Sequence, residues 1–344
     1  MADGVEELSG GDAVPEDADG VVLCKGQQDV GLPLSPNSFR QILRVKTTVP
    51  KGRSASLGDV FLRVYGENST LPKSYRLRDA KGMLSDAALD RAKPTVVYAH
   101  GYVELSSDES VMAVVRAYQG RGDFNIVVVD WANLGFGNYL AVALDLKPIG
   151  IETGKALSML LKEGLSPKGL HLVGHSMGAH LLGFTARSLA DRGHPVPRLT
   201  GLDPAYPGFY PAILASPMSV HDADFVDVIH TDGGGYGAPS RAGHADFWPN
   251  EGRAKQPGCI SATIPLTYED FCSHWRSWAF WAESVAGGQF LSRRCEDYDT
   301  FLRGQCGEEP SALMGIDASS NLRGNFYLRT AARAPFALGE RGAE

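Results

Sequence analysis

The stretch His171-Leu172-Val173-Gly174-His175-Ser176-Met177-Gly178-Ala179-His180 constrains the fold more than any other part of this 344-residue chain. An apolar run, Leu170–Gly174, leads into G-x-S-x-G, and a helix-forming run, Ala179–Asp191, leads out of it. A strand that turns sharply into a helix puts strained backbone at the turn and needs small residues where the two elements nearly touch. Gly174 and Gly178 are such residues. The Ser176 hydroxyl then stands clear at the positive end of the following helix, and the N–H of Met177 points to where an oxyanion would form. A chain with 40 glycines can carry G-x-S-x-G by chance. The strand before it and the helix after it favour a nucleophile turn instead.

The surrounding rhythm is consistent with that reading. Strands are predicted at Asp59–Tyr65, Thr95–Ala99, Asn125–Asp130, Leu170–Gly174, Arg198–Leu202 and Phe225–Thr231, with a last one at Phe326–Leu328. Several are continuously apolar, which suits a sheet buried on both faces. Helical stretches lie between them, Val142–Glu163 being the longest. The alternation predicts an α/β fold with right-handed crossovers.

A serine needs a base, and the base needs an orienting carboxylate; on this fold the chain order is Ser, acid, His. Asp203 ends the strand after the nucleophile, where open α/β sheets place their chemistry. Asp227, within a strand, and Asp232, after one, are the poorer candidates, read as surface or turn residues. Four histidines follow Asp203. His230 reads as a satisfied buried histidine, and His244 precedes Ala245-Asp246-Phe247-Trp248, read as a structural turn. His221 also follows, and His274 follows Cys272, where a nearby disulfide would hold its loop in place; spacing alone favours His274 without settling the choice.

Other readings are excluded on chemistry. The net charge is −7, and the first twenty residues hold seven acids and no Lys or Arg, so the rest is near neutral. That excludes nucleic-acid binding, which needs clustered positive charge. No apolar run reaches the length of a membrane span. No basic region followed by an apolar stretch opens the chain, which suggests a processed form with an added Met, or a cytosolic protein. Gly150-Ile151-Glu152-Thr153-Gly154-Lys155-Ala156 is one residue short of a phosphate loop and ends in Ala instead of Ser or Thr. His171, His175 and His180 straddle strand, turn and helix, so they cannot share a metal. Cys259 with Cys272 and Cys295 with Cys306 are close pairs favouring an oxidising compartment, with Cys24 left over. Asn68-Ser69-Thr70 is a glycosylation sequon.

Six motifs in consistent order, from about Asp59 to Gly339, resemble the pancreatic lipase family. They are Tyr98-Ala99-His100-Gly101-Tyr102, Val129-Asp130-Trp131, the stretch Gly174 to His180, Gly201-Leu202-Asp203-Pro204-Ala205, the stretch Phe225 to Asp232, and Cys272-Ser273-His274. The resemblance implies an α/β-hydrolase fold, mostly parallel with helices on both faces. It implies a triad of Ser176, Asp203 and His274, an oxyanion hole from the N–H groups of Tyr102 and Met177, and no cofactor.

The implied organisation is an acidic disordered tail at 1–30, one catalytic domain at 31–339 and a short tail at 340–344. The digestive branch carries a C-terminal β-sandwich; none is expected here, and the resemblance is to the short insect-type members. That branch binds calcium through acids between the Asp motif and the Phe-Val-Asp strand. Here Asp222 is the only carboxylate between Ile213 and Asp222, so no metal is expected. The loop 260–271 is the implied lid, and both it and the loop Gly233–Gly243 are short. Short loops leave room for a polar head group, which implies phospholipase A1 acting at a membrane or micelle interface. A neutral lipase and a non-catalytic, yolk-type lipid carrier are the alternatives. Secretion is implied. Ile260, Ile264, Leu266 and Phe271 are candidates for lipid contact. Phe271, Trp275, Trp278 and Trp281, at helical spacing, read more simply as helix packing than as an interfacial patch.

Overall fold

The computed structural model describes residues 56–260, 267–308 and 310–344. The predicted acidic tail, Cys24 and half of the predicted lid, including Ile264 and Leu266, lie outside the described residues.

In chain order the elements are β1 (Phe61–Tyr65), β2 (Lys73–Arg76), β3 (Thr95–Ala99), α1 (Glu109–Arg121), β4 (Asn125–Asp130), α2 (Ala132–Gly135), α3 (Tyr139–Lys162), β5 (Leu170–His175) and α4 (Met177–Ala190). They continue with β6 (Arg198–Leu202), β7 (Phe225–Ile229), β8 (Ala245–Pro249), α5 (Tyr268–Val285), β9 (Phe290–Arg294), α6 (Tyr298–Leu302), β10 (Ala312–Met314) and β11 (Gly324–Leu328). Among the described residues the strands form one sheet in the order β10-β9-β11-β8-β7-β6-β5-β3-β4-β1-β2. Its middle, from β4 across to β11, is parallel. Antiparallel strands close both edges.

The continuous apolar runs have a simple cause. Every residue of β3, β4 and β5 is buried, and alternate residues enter two cores. Val97, Ala99, Val127, Val129 and Leu172 pack with Leu146 of α3 and Leu181 of α4. Val96, Tyr98, Ile126, Val128 and Val173 pack with Val111 and Val115 of α1 and Trp281 of α5. Helices therefore cover both faces, and a side chain pointing either way meets hydrocarbon. The parallel centre, the helices on both sides and a sharp turn after β5 make this an α/β-hydrolase fold.

Two expectations need correction. Ala245–Trp248 is not a turn but most of β8, paired in parallel with β11. Its Asp246 is tolerated inside because it accepts the N–H of Ala242 at 2.8 Å and contacts His230 at 2.9 Å. Asp227 has no surface role. It is fully buried on a central strand, where Arg198 grips both its oxygens and Thr200 donates at 2.7 Å. Asp232 has the turn role expected of it, accepting the Tyr236 N–H at 3.3 Å, although it is buried. The reading of His230 as a satisfied buried histidine holds, although it lies one residue past β7, stacked on Trp248. The segment that mimics a phosphate loop lies inside α3.

Candidate active site

Ser176 sits between β5 and α4 with φ 54° and ψ −122°. That region is sparsely populated for a residue with a Cβ, at a cost of about 1–3 kcal/mol. The turn is tight because its glycines are nearly in contact with other backbone. A Cβ on Gly178 would lie 2.2 Å from the Ala99 carbonyl oxygen, and one on Gly174 would lie 2.5 Å from Ala179 backbone. The Ser176 N–H donates to the Leu202 carbonyl at 3.0 Å, tying the turn to β6.

Asp203 follows β6 directly, also at positive φ, and is fully buried. Its Oδ1 accepts the N–H groups of Thr231 at 2.9 Å and Asp232 at 3.2 Å. Its Oδ2 lies 2.6 Å from Nδ1 of His274. The carboxylate is thus held from two sides. His274 lies in α5, 71 residues further along the chain. The hydroxyls of Thr231 and Ser277 donate to its carbonyl. With Nδ1 engaged, Nε2 is the ring nitrogen that can take a proton. Ser176 and His274 line one cavity of about 70 Å³, together with Tyr102, Tyr139, Phe271 and Trp275.

Met177 opens α4, so its N–H belongs to the first turn, where no intrahelical acceptor exists. Tyr102 lies in the loop after β3. Its ring meets Tyr139 edge-on, and its hydroxyl donates to the Gly137 carbonyl. Over the cavity, Tyr236 stacks on Phe271 at 4.6 Å, and Phe271 stacks on Trp275 at 5.4 Å. Tyr236 also hydrogen-bonds Asp270. The aromatic series is therefore divided: Phe271 and Trp275 wall the cavity, whereas Trp278 and Trp281 are buried in the core. Ile260 is 67% exposed at the near end of the predicted lid.

Two buried carboxylates beside the cavity have unusual acidities. Burial pushes Asp232 up to about 6, and the neighbouring Asp203 adds to the rise. Burial alone would raise Glu104 too. The neighbouring His175, then His100, and the Gly101 N–H instead pull it down to about 2. Sequence reasoning missed Glu104, because an acid in the polar run Glu104-Leu105-Ser106-Ser107-Asp108 gives no sign of burial.

The remaining predicted residues are dispersed. His171 contacts Thr200 at 2.7 Å, while His180 lies between the Ala205 carbonyl and the Met218 N–H. Asp222 is gripped by Arg187. Cys259 is bonded to Cys272 and Cys295 to Cys306. Asn68 is exposed in a turn.

A family model described as Lipase matches residues 37–336. The human pancreatic lipase-related protein 3 is 34% identical over 245 residues, covering 62% of this chain and 51% of its own length. Pancreatic triacylglycerol lipase of Myocastor coypus is 31% identical over 226 residues, covering 60% of this chain and 49% of its own. The human inactive pancreatic lipase-related protein 1 is 30% identical over 273 residues, covering 73% of this chain and 56% of its own. The chain spans about half the length of the curated relatives it matches. The family match runs from before β1 to beyond β11, across the whole sheet and every residue of the site: the chain belongs to the lipase family.

Proposed function

We propose that this protein hydrolyses carboxylic esters of lipids, with Ser176 as nucleophile, His274 as base and Asp203 as the acid that orients it. The observation that carries this reading is that Ser176, on a strained turn, and His274 line one cavity, with the buried Asp203 2.6 Å from the far nitrogen of that imidazole. His274 Nε2 takes the proton of Ser176 as its oxygen attacks the ester carbonyl. The N–H groups of Tyr102 and Met177 receive the developing negative charge, and Asp203 offsets the charge on the imidazolium. The alcohol leaves with that proton, and water then cleaves the acyl-enzyme by the reverse sequence, freeing a fatty acid. No cofactor enters this scheme.

For the substrate we favour a phospholipid cleaved at the sn-1 position. The loop closed by Cys259–Cys272 spans a sequence separation of 13, and a short cover leaves space for a polar head group. We read residues 260–271 as the lid and residues 31–339 as the catalytic domain. A neutral triacylglycerol lipase is the second reading, favoured by the name of the Myocastor coypus relative. We also read the protein as secreted, which the two disulfides support. No described helix is long and apolar enough to cross a membrane.

The test is a product profile on mixed-chain phosphatidylcholine and triolein, with Ser176→Ala alongside. Release of the sn-1 fatty acid with little triolein turnover is expected, and a loss of about 10⁴–10⁶ in the variant. Turnover of triolein alone would replace phospholipase A1 by neutral lipase. No hydrolysis of either by the folded wild type would favour a lipid carrier.

A further inference from the structure

We propose that Glu104 is a positioning residue that clamps the loop bearing one oxyanion donor to the turn bearing the nucleophile. This rests on the assignment of Ser176, Tyr102 and Met177 above.

The two donors come from different places. Met177 begins α4, while Tyr102 lies in the loop after β3. An oxyanion hole works only if both N–H groups are held at the right spacing before the reaction begins. The loop of Tyr102 is well tied on one side. Trp131 Nε1 donates to the His100 carbonyl at 3.0 Å, and the Val103 N–H donates to the Gly135 carbonyl at 3.1 Å. Both ties run to the segment after β4, away from Ser176.

Glu104 reaches the other way. Its Oε2 accepts the Gly101 N–H, next to Tyr102, at 2.8 Å. Its Oε1 lies 2.9 Å from Nδ1 of His175, the residue before Ser176. That second contact is close but falls outside hydrogen-bond alignment. One side chain therefore joins the residue before one donor to the residue two before the other. The space between is full: a Cβ on Gly101 would lie 3.0 Å from His175 Nδ1 and 3.2 Å from Ser176 Cβ. The His175 ring also packs against His274, with centroids 4.7 Å apart.

A packing role alone accounts poorly for these facts. Glu104 is 5% exposed and lines the same cavity as Ser176. A fixed negative charge beside a forming oxyanion opposes the reaction. An uncharged glutamine would accept the Gly101 N–H equally well. What the second carboxylate oxygen adds is an acceptor against His175 Nδ1, where a glutamine would present its NH2 group, and through His175 a hold on the nucleophile turn.

The experiment compares wild type, Glu104→Gln, Glu104→Ala and Ser176→Ala on a soluble p-nitrophenyl ester. Active sites are counted by end-point titration with an organophosphonate, and folding is followed by thermal melting. Per titrated site, kcat should fall roughly tenfold in Glu104→Gln and roughly 10²-fold in Glu104→Ala, the scale of a misplaced catalytic group. KM should stay within about twofold, since the substrate's binding contacts are untouched. An unchanged kcat per titrated site, with only fewer sites or a lower melting point, would overturn the clamp. If Glu104→Ala does not fold, the near-isosteric Glu104→Gln decides alone. Full activity in Ser176→Ala would instead overturn the functional reading on which the clamp depends.

Discussion

At the scale of single residues, the site combines two strained backbones with closely packed atoms. Ser176 and Asp203 both hold positive φ. Each is fixed by a main-chain bond to the neighbouring strand, Ser176 to Leu202 and Asp203 to Ile229. Gly101→Ala should leave the fold intact, because its neighbours at 3.0–3.3 Å are side-chain atoms. It should lower kcat by about 10²-fold, since those atoms belong to His175, Ser176 and Glu104; steady-state kinetics on a soluble ester will measure this. Asp203→Asn should lose about 10⁴ in kcat with little change in melting temperature, because the amide permits the wrong imidazole tautomer. Ser176 was legible in the sequence because its motif needs strand before and helix after, and both are written in the apolar pattern. The choice of His274 rested mainly on its resemblance motif. Its approach to Asp203 depends on where α5 docks, which no local pattern encodes. Glu104 was illegible, since its burial comes from a loop folded over the strand end.

At the scale of elements, α5 links packing to chemistry. It carries His274 near its start and buries Trp278, Phe280 and Trp281 further along, against the face of the sheet that α1 also covers. Seating those rings sets the height of the imidazole over Asp203. Trp281→Ala should destabilise the protein by about 3–5 kcal/mol, read by denaturant unfolding, through the cavity it leaves. The central strands were readable because they are apolar on both faces. The edge strands β2 and β10 and the neighbouring β9 were not. β2 reads Lys73-Ser74-Tyr75-Arg76 and β9 ends in two arginines, as expected where one side meets water. β8 resembled a turn because it contains Asp246 and ends in Pro249. Only the tertiary contacts of Asp246 with His230 and Ala242 explain why that acid lies inside.

At the scale of the whole molecule, the buried acid beside the proposed triad couples stability to pH. Asp232 has its folded acidity raised from about 3.8 to about 6. Below the lower value both folded and unfolded chains hold the proton. Between the two values only the folded chain does, so stability falls as pH rises through this window and stays low above it. Asp232→Asn should remove that decline. It should raise stability at pH 8 by about 1–3 kcal/mol relative to its effect near pH 4, measured by urea unfolding at both values. The wider claim is that the fold brings one serine into working contact with a histidine and an aspartate. The most direct measurement is reaction of the intact protein with an alkyl organophosphonate, followed by mass spectrometry of the peptides. A single adduct on Ser176, formed by the wild type and greatly slowed in His274→Ala, is the predicted result. A folded protein that takes no adduct, or takes it on another residue, would contradict the account.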